Sequence, residues 1–284
     1  MRSGAALLLA LPFGLACAPA GDADPPSRAA LPIIGGAPDV DDPNVVGLVN
    51  QSGQLACTGT LLAPQVVLTA AHCLELEAPT SVFFGSDPMV DGRLLPVDSF
   101  AKHPEFDLLA LANDVGVVRL AAPAPAGAEP AELAAAPPPM GTPVRFVGFG
   151  YTEVGPGGDY GKKRHVTTAV TLVTATTFGY GVATCNGDSG GPAFVSEGGR
   201  EVLAGVTSSG DSTCASFGLD TRVDVHAGWI AEQLDGGGDD GCCLAAPGRP
   251  SRSSLILFVI TLAVAGVVRR LRRAGAAKLL RSRE

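Results

Sequence analysis

Between Ile33 and Asp235 the chain alternates short apolar runs with clusters of turn residues. The runs read VVGLVN (45–50), TLLAPQVVLTA (60–70), SVFFG (81–85), VGVVRL (115–120), PVRFVGFG (143–150), VTTAVTLVTATTF (166–178), PAFV (192–195) and VLAGVTSS (202–209). β-Branched and aromatic residues fit a pleated, half-buried surface, and Gly, Pro and Asp punctuate the gaps, so each run predicts a strand. Strands at this density, with no helical period between them, predict a sandwich or a barrel. Val225, Trp229, Ile230 and Leu234 recur at helical spacing and predict one terminal helix. Residues 121–143 (AAPAPAGAEPAELAAAPPPMGTP) fit neither element. Proline lacks the N–H that a helix or a sheet interior needs, so this stretch is expected to connect two β halves.

The two ends depart from this pattern. Residues 1–20, MRSGAALLLALPFGLACAPA, hold one Arg, an apolar run from Ala5 to Leu15 and small residues after it, the layout of a secretory signal peptide. Ala18-Pro19-Ala20 fits the cleavage site, while Cys17 leaves a lipid-modified alternative open. Near the other end, Leu255 to Val268 is an apolar run of 14 residues, followed by Arg269, Arg270, Arg272 and Arg273. As a helix it spans only ~21 Å, short of the ~30 Å hydrocarbon core. A basic cluster stays on the cytoplasmic side, so 255–268 is expected to be a short transmembrane segment and 269–284 a basic cytoplasmic tail. Residues 236–254 form a Gly/Pro/Ser linker that carries Cys242-Cys243.

Composition narrows the class. With 17% charged residues, the chain is neither disordered nor a nucleic-acid binder. The net charge of −8 is uneven: residues 33–241 carry 9 Lys and Arg against 25 Asp and Glu (−16), and residues 249–284 carry 9 against 1 (+8). An acidic body joined to a basic end predicts two environments. Export makes the cysteines legible. Cys57, Cys73, Cys185 and Cys214 lie in the body, and an oxidising compartment favours two disulfides among them.

Three short peptides carry candidate chemistry. TAAHC (69–73) ends an apolar strand with His72, NDVGVVRL (113–120) opens one with Asp114, and GDSGGP (187–192) sets Ser189 among glycines. Taken singly, such a histidine is more often structural and such a hexapeptide is an ordinary surface turn. In this order, on β-rich segments, they resemble the trypsin/chymotrypsin family of serine proteases. The resemblance covers roughly residues 33–234. It also rests on IIGG (33–36), GTLLAPQVVLTAAHC (59–73), HPEFDLLALANDVGVVRL (103–120), GTPVRFVGFG (141–150), TCNGDSGGP (184–192), SSG (208–210) and TRV (221–223).

The resemblance implies an all-β fold of two antiparallel barrels, with the active site in the cleft between them and a C-terminal helix, over residues 33–235. It implies that Ser189 is the nucleophile, His72 the general base and Asp114 the group that orients the imidazole. The N–H groups of Gly187 and Ser189 would form the oxyanion hole. It pairs Cys57 with Cys73 and Cys185 with Cys214. Ile33 would be the mature N-terminus, its ammonium buried against Asp188, with residues 21–32 an inhibitory propeptide. The bond to be cut, Pro32–Ile33, implies an activating protease unlike trypsin, or trimming after a first cut at Arg28.

The same resemblance places Ala183, Ser208, Gly210 and Gly218 around the substrate side chain. Ala183 stands where trypsin has an Asp, which implies an open apolar slot and cleavage after apolar residues. Asp220, where a Tyr is usual, leaves cleavage after basic residues open, and Ser209 replaces a usual Trp. The expected partner is a protein or peptide substrate, with a non-catalytic binding protein on the same scaffold as the alternative. No metal site or cofactor is expected, since Glu75, Glu77 and Asp87 have no calcium-cage spacing. Lys162-Lys163-Arg164 reads as an exposed turn. The linker, cysteines, apolar segment and arginines of the tail resemble the MYXO-CTERM sorting tails of myxobacterial-type surface proteins. That likeness implies a sorting peptidase acting near Cys242 and display on the cell surface; the alternative is an inner-membrane anchor facing the periplasm.

Overall fold

The computed structural model describes residue 33 and residues 36–152 and 159–235. The expected signal peptide (1–20), propeptide (21–32), linker (236–254), transmembrane segment (255–268) and basic tail (269–284) all lie outside the described residues. Among the described residues no helix is long and apolar enough to cross a membrane.

Among the described residues, thirteen strands and two helices follow in order. The first half contains β1 (Ala37–Pro38), β2 (Val45–Asn50), β3 (Leu55–Ala63), β4 (Val66–Thr69), α1 (Ala71–Leu76), β5 (Pro79–Phe84), β6 (Arg93–Lys102) and β7 (Gly116–Leu120). The second contains β8 (Pro143–Gly148), β9 (Arg164–Val173), β10 (Thr177–Tyr180), β11 (Pro192–Glu197), β12 (Arg200–Gly210), β13 (Gly218–Arg222) and α2 (Ala227–Asp235), with one 3₁₀ turn at Asp224–His226 before α2. β2 to β7 close into a six-stranded antiparallel barrel in the order β2-β3-β4-β7-β6-β5. β8 to β13 close likewise, because β8 pairs with both β9 and β11, and β1 adds to the outside of β9. Closure removes free sheet edges, which an all-β chain must otherwise protect.

Each barrel is filled by the inward residues of its own strands. Val45, Leu48, Leu61, Leu68, Val82 and Val117 pack in the first, and Val144, Phe146, Val170, Phe178, Tyr180 and Val195 in the second. Burying each such side chain contributes roughly 1.5–3 kcal/mol. Residues 121–142 contain no strand and run along both barrels. Ala124 N–H donates to Pro64 O, Ala131 N–H to Leu61 O and Ala134 N–H to Leu203 O.

Some sequence expectations shift. TLLAPQVVLTA is not one strand but the hairpin β3–β4, turning at Pro64-Gln65, and VTTAVTLVTATTF splits into β9 and β10. β6, β13 and α1 have no counterpart in the pattern reading. Lys162-Lys163-Arg164 is not an exposed turn. Lys163 is buried and its Nζ donates to Asp42 O at 2.6 Å, while Arg164 opens β9 and pairs with Asp159. A buried ammonium needs such a partner, and Asp42 lies 121 residues away, where no local pattern reveals it.

Candidate active site

The chain leaves β4 at Thr69 and enters α1 two residues later, so His72 sits in the first turn of a short helix at the barrel end. Asp114 lies just before β7. It follows Asn113, whose positive φ of 52° is a left-handed conformation that Asn tolerates better than most residues. Asp114 is fully buried and its carboxylate accepts three hydrogen bonds. The His72 backbone N–H donates to Oδ1 at 2.8 Å, His72 Nδ1 to Oδ2 at 2.7 Å, and Ser208 Oγ to Oδ2 at 2.6 Å. A carboxylate in apolar surroundings requires this much compensation. The Nδ1 bond fixes the proton on that nitrogen and leaves Nε2 free to act as a base.

Ser189 belongs to the loop between β10 and β11. The loop folds back on itself through Asp188 N–H to Cys185 O at 3.0 Å and Gly191 N–H to Asp188 O at 2.9 Å. Gly187 has φ of 97°, and a Cβ there would stand 2.8 Å from both Gly150 Cα and Tyr160 Cε2. Gly190 has φ of 81°, and its Cβ would collide with Thr69 Oγ1 and Thr58 O. The glycines are therefore required by backbone conformation and by close approach, of Gly187 to Gly150 and Tyr160 and of Gly190 to β3 and β4. Among the described residues, neither the Gly187 nor the Ser189 N–H donates within the protein. Cys73 Sγ lies 3.7 Å from His72 Nε2 and 3.6 Å from Ser189 O, so the imidazole and the serine loop meet across this sulfur. Cys73 is bonded to Cys57, and Cys185 to Cys214. Cys57, His72 and Cys73 cluster closely, but both sulfurs are committed to the disulfide and cannot serve as thiolate ligands.

Asp188 is buried behind the loop. Its Oδ1 accepts Gly150 N–H at 2.8 Å and its Oδ2 accepts Cys185 N–H at 2.9 Å. Burial pushes its carboxyl up to about 7 against the pull of those two donors. Gly148 and Gly150 make room, since a Cβ on either would collide with the carboxylate. Ile33 is buried, 1% exposed.

Beside Ser189 opens a pocket of about 230 Å³, lined by Thr184, Asn186, Thr207, Ser208, Gly210 and Asp211 among others. Of the four expected substrate-side residues, Ser208 and Gly210 line it. Ala183 is buried and does not line it, and Gly218 packs against the Tyr180 ring. The walls are hydroxyl-rich rather than the open apolar slot expected. One lining residue, Thr184, connects to the interior: the buried Tyr180 hydroxyl lies 3.0 Å from Thr184 Oγ1 and donates to Asp220 Oδ1 at 2.8 Å. Asp220 is buried, and burial lifts its carboxyl to about 8, the Tyr180 bond pulling the other way. Its Oδ2 has no partner among the described residues. Asp220 drew attention in the sequence as a misplaced acid, but Tyr180 carried no signal. A larger groove of about 740 Å³ lies between residues 83–94 and 159–162 and holds none of the expected catalytic residues.

Paired six-stranded barrels of this topology are the chymotrypsin fold. The chain belongs to the trypsin family: the family model described as Trypsin matches residues 33–230. It is 35% identical over 242 residues to Serine protease 56 of Homo sapiens, covering 73% of this chain and 40% of that protein. It is 34% identical over 232 residues to Trypsin of Saccharopolyspora erythraea, covering 72% of this chain and 99% of that protein. Hypodermin-B of Hypoderma lineatum is 29% identical over 230 residues. The chain thus spans about 40% of the length of the human and mouse relatives and nearly all of the bacterial one.

Proposed function

We propose that this chain is a serine endopeptidase working through Ser189, His72 and Asp114. The observation that carries the reading is the buried Asp114 carboxylate holding His72 Nδ1 at 2.7 Å, with Nε2 3.7 Å from the Cys73 sulfur that itself lies 3.6 Å from Ser189 O. Ser189 Oγ attacks the scissile carbonyl carbon while His72 Nε2 takes its proton. The oxyanion accepts the N–H groups of Gly187 and Ser189, which have no other acceptor among the described residues. Collapse returns the proton to the leaving amine and leaves an acyl-enzyme, which water then hydrolyses by the same route. Reaction of the mature protein with an active-site fluorophosphonate tests this. Labelling at Ser189 that is lost in Ser189→Ala is expected, and a folded, mature protein that takes no label would favour a non-catalytic binding role.

The substrate is a protein or peptide cleaved after an uncharged side chain, a reading supported by Ala183, which brings no carboxylate where trypsin has an Asp, and by the Thr184, Thr207 and Ser208 walls of the pocket. A second reading, cleavage after basic residues, is favoured by the unpartnered Oδ2 of buried Asp220. A peptide-library cleavage profile separates the two. The chain is exported, a reading supported by its two disulfides, which persist in oxidising compartments. It is made as a zymogen. A cut before Ile33, by a protease other than a trypsin-like one or by trimming, frees an ammonium to pair with Asp188. The tail then anchors the protein through 255–268 or is processed near Cys242, which mass spectrometry of the native C-terminus distinguishes.

A further inference from the structure

Thr58 lies in the middle of β3, between Cys57 and Gly59, and is fully buried. A hydroxyl in such a place is costly unless both its donor and its acceptor are used. Both are. Thr58 Oγ1 donates to Gly187 O at 2.8 Å and accepts Phe149 N–H at 3.2 Å. Its backbone N–H donates to Ser189 O at 2.8 Å, and its own carbonyl accepts Thr69 Oγ1 at 2.8 Å. One residue of the first barrel therefore grips two carbonyls of the serine loop and the segment after β8 at once.

The effect on the loop follows from peptide planarity. Fixing a carbonyl fixes the direction of the N–H in the same peptide plane, and N–H and C=O point in opposite directions across a trans bond. The Asn186–Gly187 peptide is held by Tyr151 N–H, which donates to Asn186 O at 2.9 Å. The next plane, Gly187–Asp188, is held by the Thr58 hydroxyl on one side and by Asp188 N–H to Cys185 O on the other. Gly187, a glycine at positive φ, has no side chain to resist rotation of that plane, so without the hydroxyl only the Asp188 N–H bond still holds it.

We propose that Thr58 is a positioning residue for the oxyanion site: its hydroxyl, through Gly187 O, holds the Gly187–Asp188 peptide plane that separates the plane of the Gly187 N–H from the plane of the Ser189 N–H, and so keeps those two donors convergent on the reacting carbonyl. The inference rests on the peptidase reading above. Thr58→Val keeps the shape and removes the hydroxyl, and Thr58→Ser keeps the hydroxyl and removes the methyl. With the mature protein and a chromogenic peptide substrate, Thr58→Val is expected to lower kcat by ~10–100-fold, the scale of a small misplacement, with KM within twofold. Its affinity for a peptide aldehyde, which forms a tetrahedral adduct on the serine, falls by the same factor. Thr58→Ser restores most of kcat and of aldehyde affinity. Thr58→Ala, which also lacks the hydroxyl, stands in if Thr58→Val does not fold. Unchanged kcat in a folded hydroxyl-free variant overturns the proposal, as does a loss that Thr58→Ser shares equally or that leaves aldehyde affinity intact. Failure of the peptidase reading shows separately, as a wild-type protein that neither turns over substrate nor takes a fluorophosphonate.

Discussion

Asp114 holds His72 through two bonds and Ser208 through a third, and the three differ in consequence. The His72 bonds set the ring, so His72→Ala is expected to lose as much activity as Ser189→Ala, on the order of 10⁴–10⁶-fold, with little further loss in the double variant. Ser208 Oγ only completes the carboxylate's solvation, at 2.6 Å. Ser208→Ala leaves Oδ2 with one donor in a buried site, so a ~3–30-fold fall in kcat with small change in KM is expected. Steady-state kinetics of the three variants on one peptide amide check the order. His72, Asp114 and Ser189 are legible in the sequence because each sits in a short peptide whose neighbours are themselves constrained. Ser208 is legible only as a pocket wall, and Thr58 is not legible at all. Their partners lie 94 and 129 residues away, at distances that barrel closure sets and local pattern does not.

At the scale of elements, legibility follows burial. β2 is buried along almost its whole length and reads as an unbroken apolar run. β6 is mostly exposed, carries Pro96 and shows no alternation, so it passes for a loop. β13 is buried yet holds Asp220 and Arg222, whose partners are Tyr180 and Asp224. Turns placed inside apolar runs, at Pro64-Gln65 and 174–176, are hidden by flanking β-formers. The Cys185–Cys214 link fastens the start of the serine loop to the segment between β12 and β13, closing a separation of 29 residues. Closing a loop of that length constrains the unfolded chain by roughly 3–4 kcal/mol. The Cys185→Ala/Cys214→Ala double variant is therefore expected to lose about that much stability in urea unfolding. It is also expected to raise KM, because both cysteines line the pocket and Cys185 N–H holds Asp188. A change in stability with unaltered KM would mean that the link is not needed to shape the pocket.

For the molecule as a whole, the zymogen proposal makes Asp188 a link between maturation and stability that pH would reveal. In the unfolded chain its carboxyl ionises near 3.8, whereas in the folded, uncut chain burial keeps the proton until about pH 7. Between those values the unfolded state binds fewer protons than the native one. The contribution of Asp188 is thus fully present below pH 3.8 and is lost as pH rises through about 7, by up to ~4 kcal/mol. Asp220 acts in the same direction up to about 8, but it is present before and after processing and cancels in a comparison of the two forms. Tyr160, beside the loop, is pushed up to about 12 by burial and stays neutral throughout. An ammonium at Ile33 would give the Asp188 carboxylate a counter-charge and favour its ionised form, reversing the penalty. Two Ser189→Ala proteins, one uncut and one beginning at Ile33, allow the measurement without self-digestion. From pH 4.5 to pH 7 the uncut form is expected to lose several kcal/mol more than the processed form in urea unfolding. Asp188→Asn in the uncut form should remove that difference, because the amide does not titrate. Equal pH dependence in the two forms would mean that the new terminus does not reach Asp188, and the zymogen reading would fall with it.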